Sequence, residues 1–394
     1  MTTAVEVVFW LCAGLILFAH VGYPATLWAL VWVTGSRRRP RRRRRAAAPL
    51  PLPGAAPPPG EEQLPTVSLI VPAYDEEGVI ADKVANALAL DYPRERLQVI
   101  VASDGSTDAT AERARAAGAD LVLELEPGGK VAALNAAVER ASGEVLAFSD
   151  ANTVWEPDAL RRLVEPFADP AVGYVCGQVR FLAPDGDNME GLYWRYEMAV
   201  RRLESDLAGV TAGNGAIYAV RRECYLRLPP SGSHDLSFPF LLAKRGYASL
   251  YEPAARAREK MVPTLEGEFT RKRRMMVGLW DIVVGEGLLD PRGYRPLYAF
   301  ELLGHRVLRY LTPLLHVVAL LANLALLGAG RLYAVTLAAQ LALLGAAALG
   351  CRLPLAPFRV ARYYVLTTAS IAAGLWDRLR RGAGGRWEKA AGTR

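Results

Sequence analysis

The 394-residue chain has four cysteines, at 12, 176, 224 and 351, and no two share a CxxC or other ligand spacing. That excludes a zinc ribbon and a disulfide framework, leaving plain buried thiols of the kind a reducing cytosol tolerates. The chain also lacks GxGxxG and GxxxxGK(S/T), so a dinucleotide fold and a P-loop both miss their phosphate cradle; PGGK at 127–130 is too short for either. A general basic excess is missing as well. Of 47 Lys and Arg, eight are the arginines of RRRPRRRRR (37–45), and without them the net charge of +7 becomes −1. No nucleic-acid partner is therefore expected. A transporter is disfavoured too, because the apolar spans are few and carry no acidic residue away from their ends.

What is present in quantity is apolar surface, at 52% of residues, and it is gathered at the two ends. Residues 4–34 are almost uncharged and long enough to span a bilayer with tilt. A signal peptide would put its basic residues before a short core; here they follow a long one. Residues 1–36 are thus expected to be a membrane anchor with its arginine-rich end inside, and 37–65 a linker whose arginines lie against the headgroups of the lipid bilayer and whose Pro/Ala part, 46–65, is an extended spacer. Near the other end, FELLGHRVLRYL mixes His305, Arg306 and Arg309 with apolar residues, which suits an interfacial helix over 296–310. Two or three further transmembrane helices are expected over 311–376, before a basic tail at 377–394. Three C-terminal crossings would put that tail outside against its charge, so the third segment is expected not to cross fully.

Between 66 and 295 the periodicity changes. VSLIVPA (67–73), LQVIVAS (97–103), DLVLEL and EVLAFS (144–149) read as buried strands, separated by helical GVIADKVANALAL, TDATAERARAAG and KVAALNAAVERASG. Repeated strand–helix units imply an α/β fold with a parallel sheet covered on both faces. Ligands in such sheets sit at the carboxyl ends of strands. Three of those ends are acidic: Asp75-Glu76-Glu77, Asp104 to Asp108, and Asp150-Ala151-Asn152. One acidic turn is ordinary loop chemistry. Three on one edge call for a cation or a donor-rich ligand to relieve their repulsion.

The ordered set VSLIVPAYDEE, DGSTD, GGKVAALN and FSDAN, continued by AGNGAIYAVRR, HDLSF and RKRRM, resembles the membrane-bound members of glycosyltransferase family 2, which have the GT-A (nucleotide-diphospho-sugar transferase) fold with a mostly parallel mixed sheet. The resemblance implies a nucleotide-sugar donor whose base sits between the Pro72, Ala73, Tyr74 turn and Asp104, with Glu76 shaping the pocket. It places Lys130 and Asn135 beside the diphosphate and ribose, with Asp150 and Ala151 at the phosphates. It makes Asp150, with Asn152, the holder of Mg2+ or Mn2+. It assigns Asp235 as the base that activates the acceptor, Gly213, Asn214 and Gly215 to acceptor binding, and Arg274, then Arg271, to the departing diphosphate. By local sequence alone Asp235 reads equally well as a helix N-cap.

The departures from the family pattern bear on function. Processive members carry Gln-x-x-Arg-Trp where this chain has Arg271-Lys272-Arg273-Arg274-Met275, and Trp280 is not at the equivalent position. The Asp-x-Asp metal motif is Asp-x-Asn, and His234 stands where an acidic residue often precedes the base. The expectation is an inverting, metal-dependent transferase in the cell membrane, multi-pass, with its catalytic domain cytoplasmic. It would act on a lipid-linked or oligosaccharide acceptor. The alternatives are a polyprenyl-phosphate glycosyltransferase and a non-catalytic nucleotide-binding scaffold.

Overall fold

The structure is a computed structural model and describes residues 2–35, 64–182, 189–230, 232–260, 265–353 and 355–381. The arginine run, nearly all of the Pro/Ala segment and the tail beyond 381 lie outside the described residues.

The expected strands form as β1 (Val67–Ala73), β2 (Leu97–Asp104), β3 (Leu121–Leu125) and β4 (Val145–Phe148). They are joined by β5 (Val154–Trp155), β6 (Val172–Leu182), β7 (Tyr218–Arg221) and β8 (Ala248–Lys260) in one eight-stranded sheet, ordered β3-β2-β1-β4-β7-β6-β8-β5. The first four run parallel, β7 is antiparallel to β4 and β6, and β8 is parallel to β6 and antiparallel to β5. Because β2, β1 and β4 are parallel neighbours, their carboxyl ends share one edge. Topology alone therefore sets Asp104, Asp75 and Asp150 side by side.

In chain order the helices are α1 (Thr2–Leu17), α2 (Tyr23–Thr34), α3 (Ile80–Leu88), α4 (Thr110–Ala116), α5 (Lys130–Arg140), α6 (Ala159–Val164) and α7 (Met189–Leu207). They continue with α8 (His234–Lys244), α9 (Leu265–Gly285), α10 (Pro296–Leu302), α11 (Leu308–Ala325), α12 (Arg331–Leu349) and α13 (Ala356–Arg381). Strand alternation divides the core between the faces of the sheet. Leu69, Val99 and Ala147 pack with Leu160 and Leu163 of α6 on one face. Ile70, Ile100 and Phe148 pack with Val131 and Leu134 of α5 on the other.

Three helices among the described residues are long and apolar enough to cross a membrane: Thr2–Thr34, Pro296–Ala325 and Arg331–Leu349. The segment at 296–310 is not the separate interfacial helix expected. It passes through a π-turn, Leu303–Val307, directly into α11. Its polar groups find partners in the protein. His305 Nδ1 is 2.6 Å from Glu204 and its Nε2 3.2 Å from Glu197 of α7, and Arg309 pairs with Glu197. Tyr23 of α2 donates to Glu204 at 2.7 Å, and Thr211 donates to the same carboxylate at 3.2 Å. Although burial opposes the charge, Arg309 and His305 hold the Glu197 carboxyl well below the usual range. Glu204 is likewise lowered against its burial, by His305 and the Tyr23 hydroxyl. This buried set fastens the apolar helices to the loop that carries Gly213. The last apolar segment, in α13, docks on α9: Arg273 meets Asp377 at 2.5 and 2.7 Å, and Arg378 pairs with Asp281. The cysteines are free, and Cys351, expected to be buried, is exposed in the turn after α12.

Candidate active site

The first two strand-end turns are knit to each other. Asp75, at φ 47°, accepts the Thr107 N–H at 2.7 Å and donates its own N–H to Ser106 at 3.0 Å. The N–H of buried Glu76 donates to Thr110 at 2.7 Å. Pro72 and Ala73 are buried at the end of β1 and Tyr74 is half-buried. Both oxygens of the buried Asp104 carboxylate accept backbone N–H groups, from Gly128 at 2.7 Å and Gly129 at 2.8 Å. The carboxylate expected to receive a ring N–H is therefore first a strut for the turn that opens α5, and a bound base would share it.

That turn delivers Lys130. Its ammonium lies 2.5 Å from Asp150 Oδ1, with the two side chains 35% and 30% exposed. Burial works against the lysine's charge, but Asp150, and at longer range Asp235 and Glu259, outweigh it and raise its pKa. Gly215 closes the third side: a Cβ there would stand 3.3 Å from both Asp150 Oδ2 and Lys130 Nζ. Beneath the Asp150 turn lies Lys83 of α3, buried, donating to the Thr153 carbonyl at 2.9 Å and 5.2 Å from the Trp155 ring centre. Burial pulls its pKa down to about 7, with Asp150 opposing.

Asp235 faces the same region from α8. The helix N-cap is Ser233, so the N-cap alternative for Asp235 falls away; Ser233 Oγ instead donates to Asp235 Oδ1 at 2.7 Å. The Asp235 carbonyl accepts the Gly213 N–H at 2.7 Å. His234 is buried within 3.2 Å of the Tyr218 and Tyr225 hydroxyls, and burial pulls it down to about 3, so it remains a neutral neighbour. The Lys130–Asp150 pair and the carboxylate at the start of α8 thus converge on one sheet edge.

Residues 65–278 match the family model described as glycosyltransferase like family 2. The chain belongs to this family. It is 25% identical over 252 residues to poly-beta-1,6-N-acetyl-D-glucosamine synthase of Staphylococcus aureus strain MSSA476, covering 60% of either chain. It is 34% identical over 128 residues to glycosyltransferase AglE of Haloferax volcanii, covering 31% of this chain and 42% of that one. Among solved structures it resembles the mannosyltransferase PcManGT of Pyrobaculum calidifontis, in complex with GDP-Man and Mn2+. There the TM-score is 0.68 and the identity 26%, over 95% of this chain and 99% of the other.

Several side chains expected to contact ligands also have partners inside the protein. Asn135 donates to the Leu228 carbonyl at 2.9 Å and accepts from Tyr225 at 2.7 Å. Five residues on from Lys130, it is turned about 140° around the helix from it. Asn135 instead lines a cleft of about 440 Å³ with Ala132 and residues 227–230. Asn214 donates to the Gly177 carbonyl at 2.9 Å and accepts from Ile217 at 3.0 Å, so both ends of its amide are engaged in shaping the loop. Gly213 is glycine because Tyr174 is there: a Cβ would stand 1.7 Å from its hydroxyl. The Ala151 side chain packs into the core with Val71 and Ala73, leaving only its backbone to the turn.

On α9 the basic run divides by face. Lys272 bonds Tyr363 and Arg273 bonds Asp377, both toward α13, whereas Arg271 lies within electrostatic reach of Glu259. The Arg274 side chain lies outside the described residues. Glu259 of β8 is a site carboxylate that sequence reasoning missed. Packing around it and the charge of Asp150 push it up to about 7, against Arg271 and the Asn152 amide. Nothing in the alternating charges of ARAREK marks it. Lys83 did leave a signal, because it sits in the Ile80, Val84, Ala87 stripe that the helix buries.

Proposed function

We propose that the protein transfers a sugar, with inversion, from a nucleotide-sugar to a lipid-linked or growing saccharide at the cytoplasmic face of a membrane it crosses several times, in exopolysaccharide or envelope glycan assembly. UDP-sugars are the first donor class to test. GDP-sugars are the second, because the mannosyltransferase that matches nearly the whole chain was solved with GDP-Man. The observation that carries the reading is the convergence of the Lys130–Asp150 pair with Asp235 across Gly213 and Gly215.

The residues also fit the divalent ion. The donor set around Asp150 is made of oxygens, suited to Mg2+ or Mn2+, and a cationic ammonium already rests on Asp150. Asp150 would hold the ion with Asn152 alongside. When bound, it supplies Lewis-acid neutralisation of the leaving diphosphate. Lys130 and Arg271 meet the same negative charge from two sides, with Arg274 the further candidate. Asp235, steadied by Ser233, takes the proton from the acceptor hydroxyl as that oxygen attacks the anomeric carbon from the face opposite the diphosphate. One displacement inverts the centre.

The test is purified protein in lipid with Mn2+ and a panel of UDP- and GDP-sugars, reading nucleotide release with membrane extract as acceptor source. Release from one donor, reduced about 10²- to 10⁴-fold by Asp235→Asn with donor binding kept, is the expected result. No release from any donor, or undiminished complementation by an Asp150→Ala, Asp235→Ala double variant, overturns catalysis in favour of a scaffold. Full activity of Asp235→Asn would instead favour an acceptor that is already anionic, such as a polyprenyl phosphate.

A further inference from the structure

The metal motif of this chain is one negative charge short, because position 152 is Asn. The sheet shows where the second charge stands. β5 and β8 pair antiparallel, Val154 with Arg258 and Trp155 with Ala257. Carried one step on, that register brings Glu259 opposite the residue between Asn152 and Val154, at the very turn that presents Asp150. The side chains agree with the backbone: Asn152 Nδ2 donates to Glu259 Oε1 at 3.2 Å. Glu259 also lies within electrostatic reach of Asp150, Lys130 and Arg271.

An aspartate at 152 would place a carboxylate against Glu259 at this distance, and two like charges in hydrogen-bond contact cannot both ionise cheaply. An asparagine turns that repulsion into a hydrogen bond. Asn152 and Glu259 are therefore complementary, each explaining the other. We infer that Glu259, aligned by the Asn152 amide, supplies the second anionic oxygen for the divalent ion at Asp150, replacing the carboxylate missing from the Asp-x-Asn motif. Among the described residues no three acidic, histidine or cysteine side chains gather closely enough to hold an ion by themselves. Two carboxylates complete a site only together with a ligand's own oxygens, so uptake should depend on a nucleoside diphosphate.

The inference rests on the metal-dependent reading above, and the experiment separates the two. Mn2+ binding to the purified full-length chain is followed by loss of the free-ion electron paramagnetic resonance signal, with UDP or GDP present, for wild type, Glu259→Gln, Asn152→Asp and the double variant. Glu259→Gln is expected to weaken Mn2+ binding about 10- to 100-fold. The double variant, with its carboxylate moved to 152, is expected to recover to within a few-fold of wild type. A merely structural role for Glu259 would not be rescued in this way. Thermal melting of each variant without metal shows whether it is folded. Wild-type affinity in Glu259→Gln, or a double variant no better than the single one, overturns this inference and leaves the metal-dependent reading standing. A wild type that takes up no Mn2+ with either nucleotide overturns both.

Discussion

Gly213→Ala is the substitution whose consequences the structure defines most sharply. The added Cβ would stand 1.7 Å from Tyr174 Oη and 2.8 Å from its Cζ, where ordinary contact needs about 3.5 Å. The tyrosine has nowhere to go: it is fully buried and stacked on Tyr218 at 5.8 Å. The loop is held as firmly, because Gly213 donates to the Asp235 carbonyl at 2.7 Å and accepts from Arg201 at 2.9 Å. Relief must come from one side or the other. Overpacking of this kind costs about 1–3 kcal/mol and one backbone hydrogen bond about 1 kcal/mol, so a loss of roughly 2–4 kcal/mol is expected. The bond at risk is the one that places Asp235, so turnover should fall by about 10²-fold for a shift near 1 Å. Thermal unfolding and nucleotide release are measured for wild type, Gly213→Ala, Tyr174→Leu and the double variant. Removing the ring tip should give a favourable coupling of at least about 1 kcal/mol in that cycle. Unchanged melting and turnover in Gly213→Ala, or strict additivity in the double variant, would refute the reasoning.

Two further outcomes follow from buried charge. Arg309→Met takes the guanidinium from the buried Glu197, leaving it His305, and should cost up to about 3–5 kcal/mol by thermal unfolding in lipid, whereas the same change at Arg115, about half exposed in its pair with Glu124, should cost about 1 kcal/mol or less. Equal losses at the two sites would contradict this account of the junction. For Lys83 the folded pKa of about 7 lies below the ordinary 10.5, so between those values the unfolded chain binds more protons. The cost of burying the charged lysine is full below about pH 7 and is relieved as pH rises toward about 10. Wild-type stability relative to Lys83→Met should therefore rise over that interval; a flat difference in unfolding free energy would show that the lysine is not held as described.

Much of the fold was legible because burial on both faces writes itself as continuous apolar strands. VSLIVPA and LQVIVAS became β1 and β2 nearly to the residue, and the acidic ends of β1, β2 and β4 do share one edge. The placement of the candidate site was legible where a motif sits directly on a strand end or helix start, as with Asp150, Lys130 and Asp235. Side-chain partners were not legible where a polar group could serve either the protein or a ligand. Asn135, Asn214 and Asp104 are the cases, and in each the hydrogen-bond partners are backbone groups or a tyrosine brought in from elsewhere in the chain. The continuity of 296–310 with α11 was hidden for a similar reason. His305 and Arg309 looked amphipathic because their partners, Glu197 and Glu204, lie about a hundred residues away.

By itself the sequence determined the apolar ends, the strand–helix alternation, the family and the short-range groups of the acidic sheet edge, since periodicity and turn chemistry are local. Tertiary structure alone decided that Glu259 stands at Asn152, that Gly213 makes room for Tyr174, and that Glu197 and Glu204 face His305. Each of these depends on strand register or helix docking, and a pairing between distant segments leaves no periodic trace in either one.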